Sequence, residues 1–211
     1  MNGSNIVNRL RDEYFRLLPY ICKVKEQLEA EIKYFLIPIV NNLKAHQRLV
    51  VVSRIKECES AINALRSKRQ EGGAFDKDKN YSLKDLKDLA GVRILLFPRS
   101  LENNVNNIIR NKYTKWTSDP ILGFEDTDAP LALKYYGYCS DSNKIYGEIQ
   151  IVPMLTGLFW EVEHAAIYKP KPELKGAVKS LEMRERTQEV LNALKLFEQE
   201  FESLIKENKG T

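Results

Sequence analysis

The sequence is short of the residues on which most metal and nucleophile chemistry is built. Its 211 residues hold three cysteines and two histidines. Cys22, Cys58 and Cys139 are widely separated, odd in number and without a C-x-x-C spacing. That excludes a disulfide framework and predicts a reducing, cytoplasmic setting. Together with His46 and His164 they offer no zinc-ligand spacing. There is no Walker loop, no G-x-G-x-x-G, no H-E-x-x-H and no G-x-S-x-G. No apolar run reaches bilayer length, since Tyr34–Val40 is too short and contains Pro38. The N-terminal residues lack the charged-then-apolar pattern of a signal peptide. Nor is one sign of charge in large excess: 33 Lys and Arg against 29 Asp and Glu leave +4. Such a balance admits anionic ligands such as nucleotides without marking a nucleic-acid binder.

What is present, with 43% hydrophobic and 29% charged residues, suits one soluble domain. Over residues 5–46, Ile6, Leu10, Tyr14, Leu17, Ile21, Val24, Leu28, Ile32 and Leu36 recur at helical steps. Pro19 and Pro38 should divide or kink that helix. Leu49-Val50-Val51-Val52-Ser53 is a short β-branched strand running into Arg54-Ile55-Lys56, whose two cations fall on one side by parity. Cys58, Ile62 and Leu65 start a helical stripe, with Ser60, Arg66, Lys68 and Arg69 as its polar groups. Gly72-Gly73 ends it and opens a loop to Asn80. Ser82 is an N-cap for a short helix over Leu83–Asp88. Gly91–Phe97 reads as a nearly continuous apolar strand, suited to the middle of a sheet.

Ser100 can cap a helix over about 101–112, with Leu101, Val105, Ile108 and Ile109 on its apolar face. Residues 117–130 read as a loop, 131–136 as a strand and 137–144 as a polar turn. Residues 145–152 then alternate. Ile145, Gly147, Ile149 and Ile151 take one face of a strand, and Tyr146, Glu148, Gln150 and Val152 the other. Pro153 stops it. A helix over 153–167 follows, and a last one over 172–207 carries the seam Val190, Leu194, Phe197, Phe201 and Leu204. The expected fold is α+β: a mixed sheet of about five strands flanked by helices, with a core over about 48–170 and helical extensions at both ends.

Two acids stand at sheet strands: Asp88, just before 91–97, and Glu148. Two carboxylates converging on a sheet face can hold magnesium when phosphates complete its shell. Arg54 and Lys56 suit a triphosphate, and Arg can also lie against a base. Tyr138 could stack on a base. For Arg54, Lys56, Tyr138 and His164, the alternatives of a solvated strand end, surface packing and a partly buried histidine remain open.

In order, these pieces resemble the synthetase domain of the RelA/SpoT family, especially its small single-domain members. Arg54-Ile55-Lys56-x-x-x-Ser60 is similar to R-x-K-x-x-x-S, and Asp88-Leu89-Ala90-Gly91-Val92-Arg93-Ile94 to D-x-x-G-x-R-I. Lys134-x-x-Gly137-Tyr138-x-Ser140 is similar to K-x-x-G-Y-x-S. Glu148-Ile149-Gln150-Ile151 resembles E-I-Q-I, and Trp160-Glu161-Val162-Glu163-His164 with Tyr168-Lys169 resembles W-A-x-x-E-H and Y-K.

The resemblance implies a magnesium-dependent pyrophosphokinase that moves the β,γ-diphosphate of ATP to the ribose 3′-hydroxyl of GDP or GTP, making ppGpp or pppGpp. It assigns Arg54 to adenine, and Lys56 and Ser60 to the ATP phosphates. Asp88 and Glu148 would hold magnesium, with Glu148 also drawing the hydroxyl proton. Lys134, Tyr138, Gln150 and His164 would bind or support the acceptor. It also implies homo-oligomers through the terminal helices. At three family positions this chain differs: Ala64 replaces a lysine, Ser142 a histidine and Val152 an arginine. Two other readings therefore stand beside the first. One is a toxin-type member that acts on the 3′ end of tRNA and is held in check by an antitoxin; the other is a non-catalytic nucleotide- or partner-binding module.

Overall fold

The computed structural model describes residues 3–67, 80–121, 131–139, 144–163 and 181–207. The helical stripe at the start of the chain becomes α1 (Gly3–Phe35). Every residue of its apolar series, from Ile6 to Leu36, is buried. Pro19 neither divides nor ends it. It lies on the exposed face, where water can satisfy the carbonyl that a proline leaves without an amide donor. The break comes instead at Leu36, and Pro38 sits in the first turn of a short α2 (Ile37–Val40), where no amide is needed.

Five strands form one sheet: β1 (Arg48–Ile55), β2 (Ala90–Phe97), β3 (Thr117–Ser118), β4 (Leu133–Tyr138) and β5 (Tyr146–Pro153), in the order β1-β2-β5-β4-β3. β2 and β5 pair in parallel, and the other pairings are antiparallel. The sheet is mixed and the fold α+β, as the pattern of the sequence suggests. Two details differ from the sequence reading. Thr117–Ser118 is a strand rather than loop, and the strand expected at 131–136 extends to Tyr138.

The two faces of the sheet have different coverings. On one, Val92, Ile94, Leu96, Ile149 and Ile151 are buried in the main core with the stripe of α1. α4 (Glu102–Lys112) adds Val105 and Ile109 to it. Approach is close there. A Cβ on Gly147 would lie 2.6 Å from Leu28 Cδ1 and 3.0 Å from Trp116 Cη2, and one on Gly137 would lie 2.5 Å from the Trp116 ring. Those glycines admit helix and indole against the strands.

Among the described residues, the other face is covered only at one end. α5 (Met154–Glu163) folds back from β5, and Met154 and Trp160 pack with Leu95, Val152 and Ala132. α6 (Leu181–Glu207) packs on α5, and its Phe201 ring lies 5.1 Å from that of Phe97. Of the expected seam, Val190, Phe197 and Leu204 are exposed, while Thr187, Leu191 and Glu198 are buried. The buried side of α6 is thus rotated from the seam read in the sequence.

The remaining helices are short. α3 (Cys58–Ser67) buries Ala61, Ile62 and Leu65. Leu83–Asp85 is one 3-10 turn, not a helix reaching Asp88; the Ser82 hydroxyl caps it by accepting from the Lys84 N–H. Ser100 does not cap α4. It lies within a 3-10 turn, Arg99–Leu101, and its N–H donates to Glu202 Oε1 of α6 at 2.6 Å. The Gly72-Gly73 loop, Lys68, Arg69, residues 122–130, Ser140, Ser142, His164, Tyr168 and Lys169 lie outside the described residues, as do the helical stretches expected over 164–167 and 172–180.

Candidate functional site

Strand register decides which side chains meet. Arg54 on β1 is opposite Gly91 on β2, Gly91 is opposite Glu148 on β5, and Glu148 is opposite Tyr136 on β4. Two residues along lies the row Val52, Arg93, Gln150 and Lys134. Side chains two apart share a face, so both rows project from the face that carries α5, beyond the part that the described residues cover. Gly91, at the centre, brings no side chain between Arg54 and Glu148.

Glu148 is the hub. Only 6% of it is exposed. Its Oε1 accepts from Gln150 Nε2 at 2.7 Å and faces Arg54 Nη2 at 3.4 Å. Burial raises its pKa above the ordinary glutamate value; Arg54 opposes this, the nearby Asp88 charge adds to it, and Lys134 and Lys56 oppose it. Asp88 therefore shares an electrostatic field with Glu148. Its own Oδ2 is held by Lys56 Nζ, and Lys56 is tied to the same corner by its N–H, which donates to Leu89 O at 2.9 Å.

Gln150 is also buried, and accepts from Arg93 Nε at 3.1 Å. Arg93 Nη1 lies 3.3 Å from Glu161 Oε1 of α5. Burial, then repulsion from Arg54, lowers the Arg93 pKa from its usual range, against the pull of Glu161 and Glu148. A chain of polar contacts thus runs Arg54–Glu148–Gln150–Arg93–Glu161. Lys134 Nζ pairs with Asp119 Oδ2 at 2.9 Å. Tyr138, half exposed at 50%, stacks on Tyr146 with centroids 4.0 Å apart and planes at 29°.

The structure thus brings Arg54, Lys56, Asp88, Glu148 and Gln150 together, with Lys134 and Tyr138 on the β4 side. Ser60 lies in the first turn of α3, four residues beyond Lys56, and makes none of the contacts just named. His164 is outside the described residues. Sequence reasoning gave no role to Arg93, Tyr146, Tyr136, Lys87 or Asp119. Strand parity was the available signal for Tyr146 and Arg93; Lys87 and Asp119 had none, because both reach the site from outside the strands they meet.

Of the three positions that depart from the resembled pattern, Ser142 lies outside the described residues and the other two are packed against core residues. Val152 is fully buried beside Leu95 under α5, where an arginine would have no water. Ala64 packs against the main core from α3. Among the described residues, no group of three or more His, Cys, Asp or Glu is placed to hold a metal. Asp88 and Glu148, near enough for the Asp88 charge to raise the Glu148 pKa, are oxygen donors of the kind magnesium takes when phosphate oxygens and water complete its shell.

No protein-family profile matches the sequence, and no curated protein matches it. Solved structures do. The chain is similar to the small alarmone synthetase 1 from Bacillus subtilis, with a TM-score of 0.69 and 16% identity over 95% of this chain and 100% of that one. The same enzyme bound to its product pppGpp gives a TM-score of 0.68 and 15% identity, over 94% and 99%. A GTP pyrophosphokinase family protein from Streptococcus pneumoniae gives 0.63 and 20%, over 89% of each chain. At such identities the likeness is one of architecture: this chain has the α+β fold of the small alarmone synthetases.

Proposed function

We propose that the chain is a nucleotide pyrophosphokinase that transfers the β,γ-diphosphate of ATP to the ribose 3′-hydroxyl of GDP or GTP. The observation that carries this reading is the buried Glu148, held on a rigid strand between a cation on one side and tyrosines on the other. Burial raises its pKa, which suits a carboxylate that must take a proton near neutral pH. Arg54 and Gln150 fix its orientation.

In the transfer, the acceptor 3′-oxygen forms a bond to the β-phosphorus of ATP as the bond from that phosphorus to the α,β-bridging oxygen breaks, and AMP leaves. The hydroxyl proton passes to Glu148. Arg54 and Lys56, at the β1 edge, would hold the adenine and the phosphates, with the exposed Val50 and Val52 beside them as an apolar floor. Tyr138 would take the acceptor base, and Lys134 and Gln150 would orient its ribose. Asp88 and Glu148 would hold magnesium, which supplies positive charge to the phosphate oxygens. Chemistry of this kind depends on positioning and electrostatics rather than on a protein nucleophile, and suits a chain with so few cysteines and histidines.

The test is incubation of the protein with labelled ATP and magnesium, separately with GDP, GTP, ADP and bulk tRNA. A labelled nucleotide more highly phosphorylated than the acceptor, formed with GDP or GTP, is the expected result. Label on tRNA alone would move the acceptor to the tRNA 3′ end. Nucleotide binding without any transfer would reduce the site to a sensing module.

A further inference from the structure

Among the described residues, four cations on the site face are held by carboxylates. Arg54 faces Glu148, Lys56 holds Asp88, Lys134 pairs with Asp119, and Arg93 lies between Gln150 and Glu161. Lys87 is different. Its Nζ lies 4.0 Å from the centroid of the Tyr136 ring, and among the described residues no carboxylate pairs with it at ion-pair distance. Tyr136 is the cross-strand partner of Glu148 and sits beside Tyr146, the ring that backs Tyr138. Consecutive residues therefore reach opposite ways: Asp88 towards Lys56 at the β1 edge, Lys87 towards β4 and the tyrosines.

A contact between an exposed ammonium and a ring face is a weak anchor, and a charge-assisted bond to a phosphate oxygen is a stronger one. To meet a phosphate, Lys56 or Lys134 must loosen a carboxylate. Lys87 has to give up only its contacts with one neutral tyrosine, the ring face and a side-chain hydrogen bond. The ring it leaves remains in the row of tyrosines that faces the acceptor.

We propose that Lys87 is a specificity-determining residue that binds the 5′-phosphate chain of the acceptor nucleotide, moving off the Tyr136 ring as that nucleotide enters. This rests on the acceptor side of the site lying at β4, as assigned above. It makes the acceptor preference depend on the 5′-phosphates and not only on the base at Tyr138.

The experiment compares wild type, Lys87→Gln and Lys87→Arg with guanosine, GDP and GTP as acceptors at saturating ATP and magnesium. The expected result is that Lys87→Gln lowers the ratio of kcat/KM for GDP to that for guanosine by about tenfold, the effect of one modest ionic contact. The loss falls in the acceptor KM, the KM for ATP stays within twofold, and Lys87→Arg recovers most of the ratio. An equal loss on guanosine and GDP would mean a packing role, and a loss confined to ATP would put Lys87 on the donor side; either overturns the inference, as does an unchanged ratio. If wild type transfers nothing, calorimetry of GDP binding replaces the rates. The pyrophosphokinase reading then fails by itself, while an unchanged Kd in Lys87→Gln, or no GDP binding at all, removes the role of Lys87.

Discussion

Glu148 and Glu198 are buried to nearly the same degree, 6% and 4% exposed, and burial raises the pKa of both. Their surroundings differ. Among the described residues, Glu148 has Arg54, Lys134 and Lys56 to offset burial and Asp88 to add to it, and Gln150 donates to it. Glu198, on α6, lies beside a cavity of about 260 Å3 between α6 and the start of α4. Arg99 favours its charge, Glu202 and Glu102 oppose it, and among the described residues its Oε1 has no hydrogen-bond partner. Its pKa is pushed up to about 7. One acid is buried but supported as an anion; the other is buried and left to keep its proton. Burial alone therefore does not identify a working carboxylate. The arrangement of donors and cations around it does.

The same substitution at both sites separates them most sharply. Glu148→Gln keeps the shape and removes the proton acceptor, so transfer should fall by roughly 10²–10⁴-fold, the span of a general base. Its melting temperature should not drop, since a neutral amide no longer bears the cost of burying charge. Glu198→Gln should leave the rate within about twofold of wild type, as expected for a group outside the reacting atoms. Equal losses in the two variants would erase the distinction.

The second contrast is in stability against pH. The native Glu198 carboxyl keeps its proton up to about pH 7, whereas in the unfolded chain it ionises near the ordinary glutamate value. Between those values the native state binds more protons, so the contribution of this group is full at pH 4 and falls as the pH rises through 7. The loss is on the order of 3 kcal/mol by pH 8. Glu198→Gln has no such slope. Denaturant unfolding should find it more stable than wild type at pH 8 by that amount and equal to it near pH 4. Parallel curves would show that α6 already satisfies Glu198.

Much of the Glu148 half of this contrast is legible in the sequence, and little of the Glu198 half. Alternation over 145–152 places Glu148 and Gln150 on one face, and β-branched Val50–Val52 leads parity out to Arg54 and Lys56. Period-2 patterns survive folding because each strand buries one face as a unit. Contacts that depend on register between strands, or on a helix arriving from far along the chain, leave no such pattern. Hence Lys87 over Tyr136 and the Tyr138–Tyr146 stack were not foreseen. Ser100 looked like a cap until Glu202, 102 residues away, took its N–H. Pro19 looked like a break because proline disfavours a helix interior, yet it falls off the apolar stripe, on the side of α1 that faces water. On α6, apolar spacing favoured Phe197, yet Glu198 is the buried neighbour.

The smallest expected effect is also the most diagnostic, because it makes Glu148 resemble Glu198. Arg54 is the largest influence holding the Glu148 pKa down against burial. Arg54→Gln removes that charge and leaves Gln150 in place, so the Glu148 pKa rises further. A general base works only when deprotonated; its rate climbs as pH rises through its pKa. The acid limb of the kcat profile should therefore move to higher pH in the variant. At saturating ATP, which absorbs any weakening of donor binding, the loss relative to wild type should be several-fold greater at pH 6 than at pH 9, within the range expected for one neighbouring charge. A loss independent of pH would confine Arg54 to binding ATP. In that case the low-pH activity of the site would depend on Lys134 and Lys56, and substituting each should reproduce the shift that Arg54→Gln did not.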